Sequence, residues 1–262
     1  MNLLNLRMVC AAGLGLIGSA LPVGAAEESA ADLASRLSAL RQDGNTNVRL
    51  RMEIRGEPKT NLQLLIKQRR SKSGSEVVYQ VLWPKERKGE AVLLKKSGNG
   101  PTSGAQFIPP NTLKTIDAGA AGEALFGGDL SYEDVVDNFY DWDQQAIVGT
   151  EEVDGVQCQI LESKPGKAKS IYGSVKSWVD TRRMVPLRVV KFGPSGQSIR
   201  RIDTLRVVPS DGRQIPANLT VRGPGKGAGT VLDGSKIQRD VTLADRDFTP
   251  EALKGSSGAG AE

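Results

Sequence analysis

The 262 residues include no histidine, which removes Ser-His-Asp and Cys-His catalysis and nearly all zinc sites at once. The net charge of +5 is a modest excess that suits acidic partners such as anionic lipid headgroups. An aromatic content of 5% is too thin for the interleaved basic and aromatic surface of a nucleic-acid binder, so nucleic acid is not expected as a partner.

Residues 1–26 read as a secretory signal peptide. Arg7 is the single charge in this stretch, an apolar run follows from Met8, and Pro22 precedes the small residues Gly24, Ala25 and Ala26. Cleavage after Ala25 or Ala26 leaves Cys158 as the sole cysteine, so an exported protein would be held together by its core and not by a disulfide.

The mature start, "ESAADLASRLSALRQDGN", spaces Leu33, Leu37 and Leu40 at helical intervals. Ser29 stands as the N-cap, with Asp32 three residues on, and the helix ends near Gly44. The period then becomes two. "NVRLRMEIRG" puts Val48, Leu50, Met52 and Ile54 on one face and charges on the other. "TNLQLLIKQRR" does the same with Leu62, Leu64 and Ile66. "EVVYQVLWP" does so with Val77, Tyr79, Val81 and Trp83. "GEAVLLKK" and "AQFIPP" are a fourth and a short fifth strand. A break, "IDAGAAGEALFGGDLSYEDVVDNFYDW", reads as loop plus one short helix. Strands resume at "QQAIVGTEEV", whose hairpin to "VQCQILES" is signalled by Asp154-Gly155. Alternating segments continue to Leu243, about ten or eleven strands in all. "FTPEALKG" gives a final helical turn, and residues 255–262 are expected to be a disordered tail. With no linker between them, residues 27–254 are expected to form one domain: a large antiparallel sheet, apolar on one face, curved and covered by helices.

No catalytic constellation emerges. "GGDLSYEDV" crowds Asp129, Glu133 and Asp134 together, but it lacks calcium-loop spacing and any neighbouring nucleophile. Ser131 with Asp134 three residues later fits a capping box, with carboxylates suited to a helix N-terminus. Gly225-Lys226 lacks the phosphate-loop pattern, and Cys158 alternates with Val156 and Ile160 as a core thiol would. Neither a metal nor a cofactor is called for, and the chain is not expected to be an enzyme.

The sequence resembles the LolA-like outer-membrane lipoprotein-sorting proteins. The resemblance rests on "LWPKERKGEAVLL", on "GGDLSYEDV" with Gly127, Asp129, Ser131, Tyr132, Glu133 and Asp134 as its motif positions, on "VKSWVDTRRMVPLRVVKFGPSG" and on "FTPEAL". Gly128 and Leu130 stand where the motif usually has Ser and Phe. The resemblance implies a mainly β fold: an incomplete antiparallel β-barrel closed by short helices, LolA/LolB-like, that holds acyl chains in transit between membranes.

The expected function is then a periplasmic, monomeric carrier for acyl chains of lipoproteins or lipids, served by an inner-membrane transporter complex and an outer-membrane acceptor. The expected cavity residues are Leu50, Met52, Ile54, Leu62, Leu64, Ile66, Val77, Tyr79, Val81 and Trp83, faced by Val135, Val136 and Phe139 on a lid. The alternative is a periplasmic sensor or accessory domain that docks on a membrane transporter or regulator, its cavity filled by its own side chains.

Overall fold

The computed structural model describes residues 28–42, 44–224 and 227–255. The expected signal peptide, the Gly225-Lys226 pair and the tail beyond Gly255 lie outside them.

Helix α1 (Ala30–Arg41) starts where the sequence places it, with the Ser29 side chain accepting from the Asp32 amide. Six strands follow: β1 (Gly44–Ile54), β2 (Thr60–Ser71), β3 (Gly74–Trp83), β4 (Ala91–Ser97), β5 (Ser103–Ile108) and β6 (Thr112–Ile116). A segment without strands, residues 117–143, carries helix α2 (Tyr132–Val136). Seven more strands complete the sheet: β7 (Gln144–Val153), β8 (Val156–Lys164), β9 (Ser174–Asp180), β10 (Val185–Phe192), β11 (Ser198–Ser210), β12 (Arg213–Arg222) and β13 (Thr230–Arg239). Helix α3 (Pro250–Gly255) ends the described chain.

All thirteen strands belong to one antiparallel sheet, in the order β6-β5-β4-β3-β2-β1-β13-β12-β11-β10-β9-β8-β7. The expected ten or eleven strands fall short chiefly because nothing in the sequence marks β6. It is an edge strand with four of its five residues exposed, so it carries no apolar alternation. Where alternation exists, the registers follow it. Leu50, Met52 and Ile54 lie opposite Leu64, Leu62 and Thr60, and Ile66 lies opposite Tyr79. The β7–β8 hairpin turns on Asp154 (φ 49°) and Gly155 (φ 78°), the left-handed pair that a two-residue turn requires.

The sheet is open, its edges β6 and β7 being unpaired with each other, yet it cannot be flat. Lys96 of β4 and Lys191 of β10 stand seven strand spacings apart, about 34 Å at roughly 4.8 Å per strand in a flat sheet. Both lie beside carboxylates of α2, a helix of five residues, which is only about 7.5 Å long. The sheet therefore curls around the 117–143 segment, which carries the chain from one edge to the other across the apolar face.

Two buried clusters fill this inner side. One joins β1–β4, β12 and β13 to Leu125, Phe126, Leu130, Tyr132, Val135 and Val136. The other joins α1 to Phe139, Tyr140 and Trp142 over β8–β10. On the opposite face, Phe248 and Leu253 cover Val78, Leu93, Ala105 and Phe107. Burial from both sides explains why "AVLL" in β4 is a continuous apolar run and not an alternating one. Phe248 is also capped by the Arg69 guanidinium, 4.8 Å from the ring centroid. Phe248→Ala is expected to cost about 3–5 kcal/mol, read as a lower urea midpoint with an unchanged slope.

Candidate ligand-binding cavity and the segment that crosses it

Between the inner face and the crossing segment lies a cavity of ≈ 360 Å³. Of the expected cavity residues, Leu50, Met52, Leu64 and Tyr79 line it, and Val135 and Phe139 face them from the crossing segment. Ile54, Leu62, Ile66, Val77, Val81 and Val136 lie on the same face but are packed into the adjoining core. Trp83 departs from the expectation and is half exposed. Val81 pairs with Leu64, but the register then slips and Trp83 pairs with Gln63. This irregularity puts Trp83 out of the phase that a strict period of two gives it.

The sequence reading missed other wall residues: Leu37 and Leu40 of α1, Leu125 and Leu130, and Ile202, Leu219 and Leu232 of the later strands. Those strands alternate too, but bulges in β10 and β11 break their phase. Burial pushes the Tyr79 phenol up to about 12, so it stays neutral in the wall.

The motif carboxylates anchor the crossing segment, each to a different part of the sheet. The Asp129 carboxylate accepts from the Gly223 amide (3.0 Å) and the Thr230 hydroxyl (2.7 Å), which fixes it to β12 and β13. Glu133 accepts from Ser170 and from the Ile171 amide (3.1 Å) in the loop before β9. Lys96 is 3.6 Å from Glu133 and 3.0 Å from Asp137, all three being buried.

Asp134 is the most heavily bound. Ser131 caps its amide while Asp134 accepts from the Ser131 amide, completing the predicted capping box. Lys191 of β10 (2.8 Å), Arg200 of β11 and the Tyr172 hydroxyl (2.7 Å) all donate to its carboxylate. Burial alone raises its pKa, but Lys191 and Arg200 outweigh that and hold it at about 2. The Tyr172 phenol is pushed up, by burial first and by Asp134 second.

At the C-terminal end of α2, Arg70 of β2 donates to the Val135 carbonyl (2.6 Å) and Arg41 of α1 to that of Asp137 (3.0 Å). Gly127 takes φ 85°, a conformation that favours glycine. At Gly128 a Cβ would lie 2.3 Å from the Met52 methyl, so the missing side chain is replaced by Met52. Tyr132 is buried in the core.

Among the described residues no three His, Cys, Asp or Glu side chains come together as a metal site. In the cluster around Asp134 the carboxylate and the Ser131 and Tyr172 hydroxyls that donate to it are all buried. Cys158 is buried with Val153, Val185 and Leu187, and burial raises its thiol pKa. What the arrangement provides is an apolar hollow whose inner wall is a pinned strap that carries one short α-helix.

A family model described as an uncharacterized protein matches residues 74–255. Three solved structures share the architecture. A DUF1329 family protein from Desulfovibrio piger has 22% identity and a TM-score of 0.78 over 86% of this chain and 97% of its own. An outer membrane lipoprotein-sorting protein domain from Vibrio parahaemolyticus has 18% identity and a TM-score of 0.77 over 86% and 98%. A LolA superfamily protein from Nitrosomonas europaea has 18% identity and a TM-score of 0.68 over 86% and 100%. No curated protein matches the sequence. At these identities the likeness is one of fold.

Asp134→Asn would leave Lys191 and Arg200 buried without their countercharge, at an expected cost of about 3–5 kcal/mol. Because the folded pKa lies near 2, below the ordinary value of 3.8, the carboxylate's contribution is full above about pH 4 and lost as pH falls toward 2. Urea midpoints measured from pH 6 to pH 2 should drop more steeply for the wild type than for Asp134→Asn.

Proposed function

The chain belongs to a LolA-like family, and from that premise we propose that it is a carrier that shelters acyl chains of lipids or lipoproteins and transfers them without covalent chemistry. The observation that supports this most directly is the ≈ 360 Å³ cavity, walled by Leu50, Met52, Leu64, Leu130, Val135 and Leu219. Its size falls in the range of about 300–1,000 Å³ usual for small-molecule sites. Each methylene transferred into such a wall gains roughly 0.8 kcal/mol before the costs of association. Several methylenes would bind tightly enough that release needs a competing acceptor or a movement of the strap.

The expected setting is the periplasm, reached by cleavage of residues 1–26. There a monomer would take cargo from an inner-membrane transporter complex and pass it to an outer-membrane acceptor. The cavity residues act by packing alone, and Val135 and Phe139 supply the side of the wall that the strap contributes.

Native mass spectrometry of the mature protein, purified without detergent from its own periplasm, should show a bound lipid or acylated peptide that organic extraction removes. Leu219→Trp, which projects a larger side chain from the cavity wall, should reduce uptake of the apolar probe N-phenylnaphthylamine several-fold while leaving the melting temperature nearly unchanged. An apo mass together with no displaceable probe binding would reject the carrier and favour a docking domain.

A further inference from the structure

A second, wider hollow of ≈ 710 Å³ adjoins the apolar cavity, and the two share Leu40, Met184, Arg213 and Gln214 in their walls. Its rim is assembled from three places. Arg36 projects from α1, Arg182 and Arg183 stand in the turn between β9 and β10, and Arg213 opens β12. Four arginines line this hollow and no carboxylate does.

The nearby acids lie outside its wall. Glu28 pairs with Arg36 at 2.6 Å, Asp180 pairs with Arg183, and Asp211 pairs with Arg239. In the apolar cavity itself the single lining carboxylate, Asp134, is already neutralised by Lys191 and Arg200. The first wall is mainly apolar, although Arg41, Arg70, Lys191 and Arg239 also line it, and past the shared residues the second wall is dominated by guanidinium groups. Guanidinium groups bind phosphate and carboxylate oxygens with paired, planar hydrogen bonds. A neutral headgroup placed there would gain little, and a cationic one would be repelled.

We propose that the cargo is an anionic amphiphile, whose acyl chain lies in the apolar cavity and whose phosphate or carboxylate headgroup sits among Arg36, Arg182, Arg183 and Arg213. This rests on the carrier reading and adds the headgroup charge to it. Shape selects the chain; the arginine rim selects the sign of the head and sets which end of the molecule enters first. Because the rim is open to solvent, salt should weaken the selection.

The test is displacement of N-phenylnaphthylamine from the full mature chain by ligands that share one acyl chain. Lauroyl lysophosphatidate carries a phosphate, laurate a carboxylate and monolauroylglycerol no charge; glycerol phosphate supplies a head without a chain. At least one of the two anions is expected to displace the probe at about tenfold lower concentration than monolauroylglycerol. The anion that does so identifies the headgroup. High salt should narrow the gap. Both side chains of the double variant Arg36→Glu/Arg182→Glu are exposed, so its melting temperature should hold; it should close the gap while leaving monolauroylglycerol unchanged. Equal displacement by charged and uncharged ligands would overturn the proposal and leave the carrier reading standing. Displacement by glycerol phosphate as strong as that by the lysophosphatidate would also overturn it. No displacement by any acyl ligand would reject the carrier reading and this proposal together.

Discussion

A curled sheet with two unpaired edges has no covalent or hydrogen-bonded closure of its own, so something must hold its two wings at a fixed separation. Here the 117–143 segment does so through buried ion pairs. Lys96 arrives from one wing, Lys191 and Arg200 from the other, and all three end on carboxylates in or just after a single short helix. Removing either sign would strand the other in a low-dielectric interior, which makes the arrangement all-or-none. The width of the cavity follows from this constraint, because the helix that fixes the wings is also its inner wall.

The same constraint divides labour along "GGDLSYEDV". Its carboxylates are directional clamps, and its glycines let the chain turn and let Met52 approach. Directional polar bonds place the strap, while the apolar side chains beside it, Leu130 and Val135, remain in contact with the hollow.

Much of the architecture was legible because period-two patterning is strong in β1–β3 and the caps at Ser29 and Ser131 are chemically explicit. Trp83 was lost to a register slip, and β6 to its exposure, neither of which a local pattern encodes. The cations that hold the strap left a readable mark. Lys96 falls in phase with Val92 and Leu94, Lys191 with Val189, and Arg200 with Ile202. Each is a charge on the apolar beat of a strand, and each is buried. A charge in that phase requires a buried partner, and the crowded acids of the motif were the available ones. What the sequence could not give was which acid meets which base, because that depends on a curvature set by all thirteen strands.

The strand order carries a kinetic consequence. Its centre is the pairing of β1 with β13, the first strand with the last, whereas both edges come from the middle of the chain. The sheet's midline therefore cannot form until its final strand is available, however early the hairpins on either wing appear. Contacts so distant in sequence make for slow, cooperative folding.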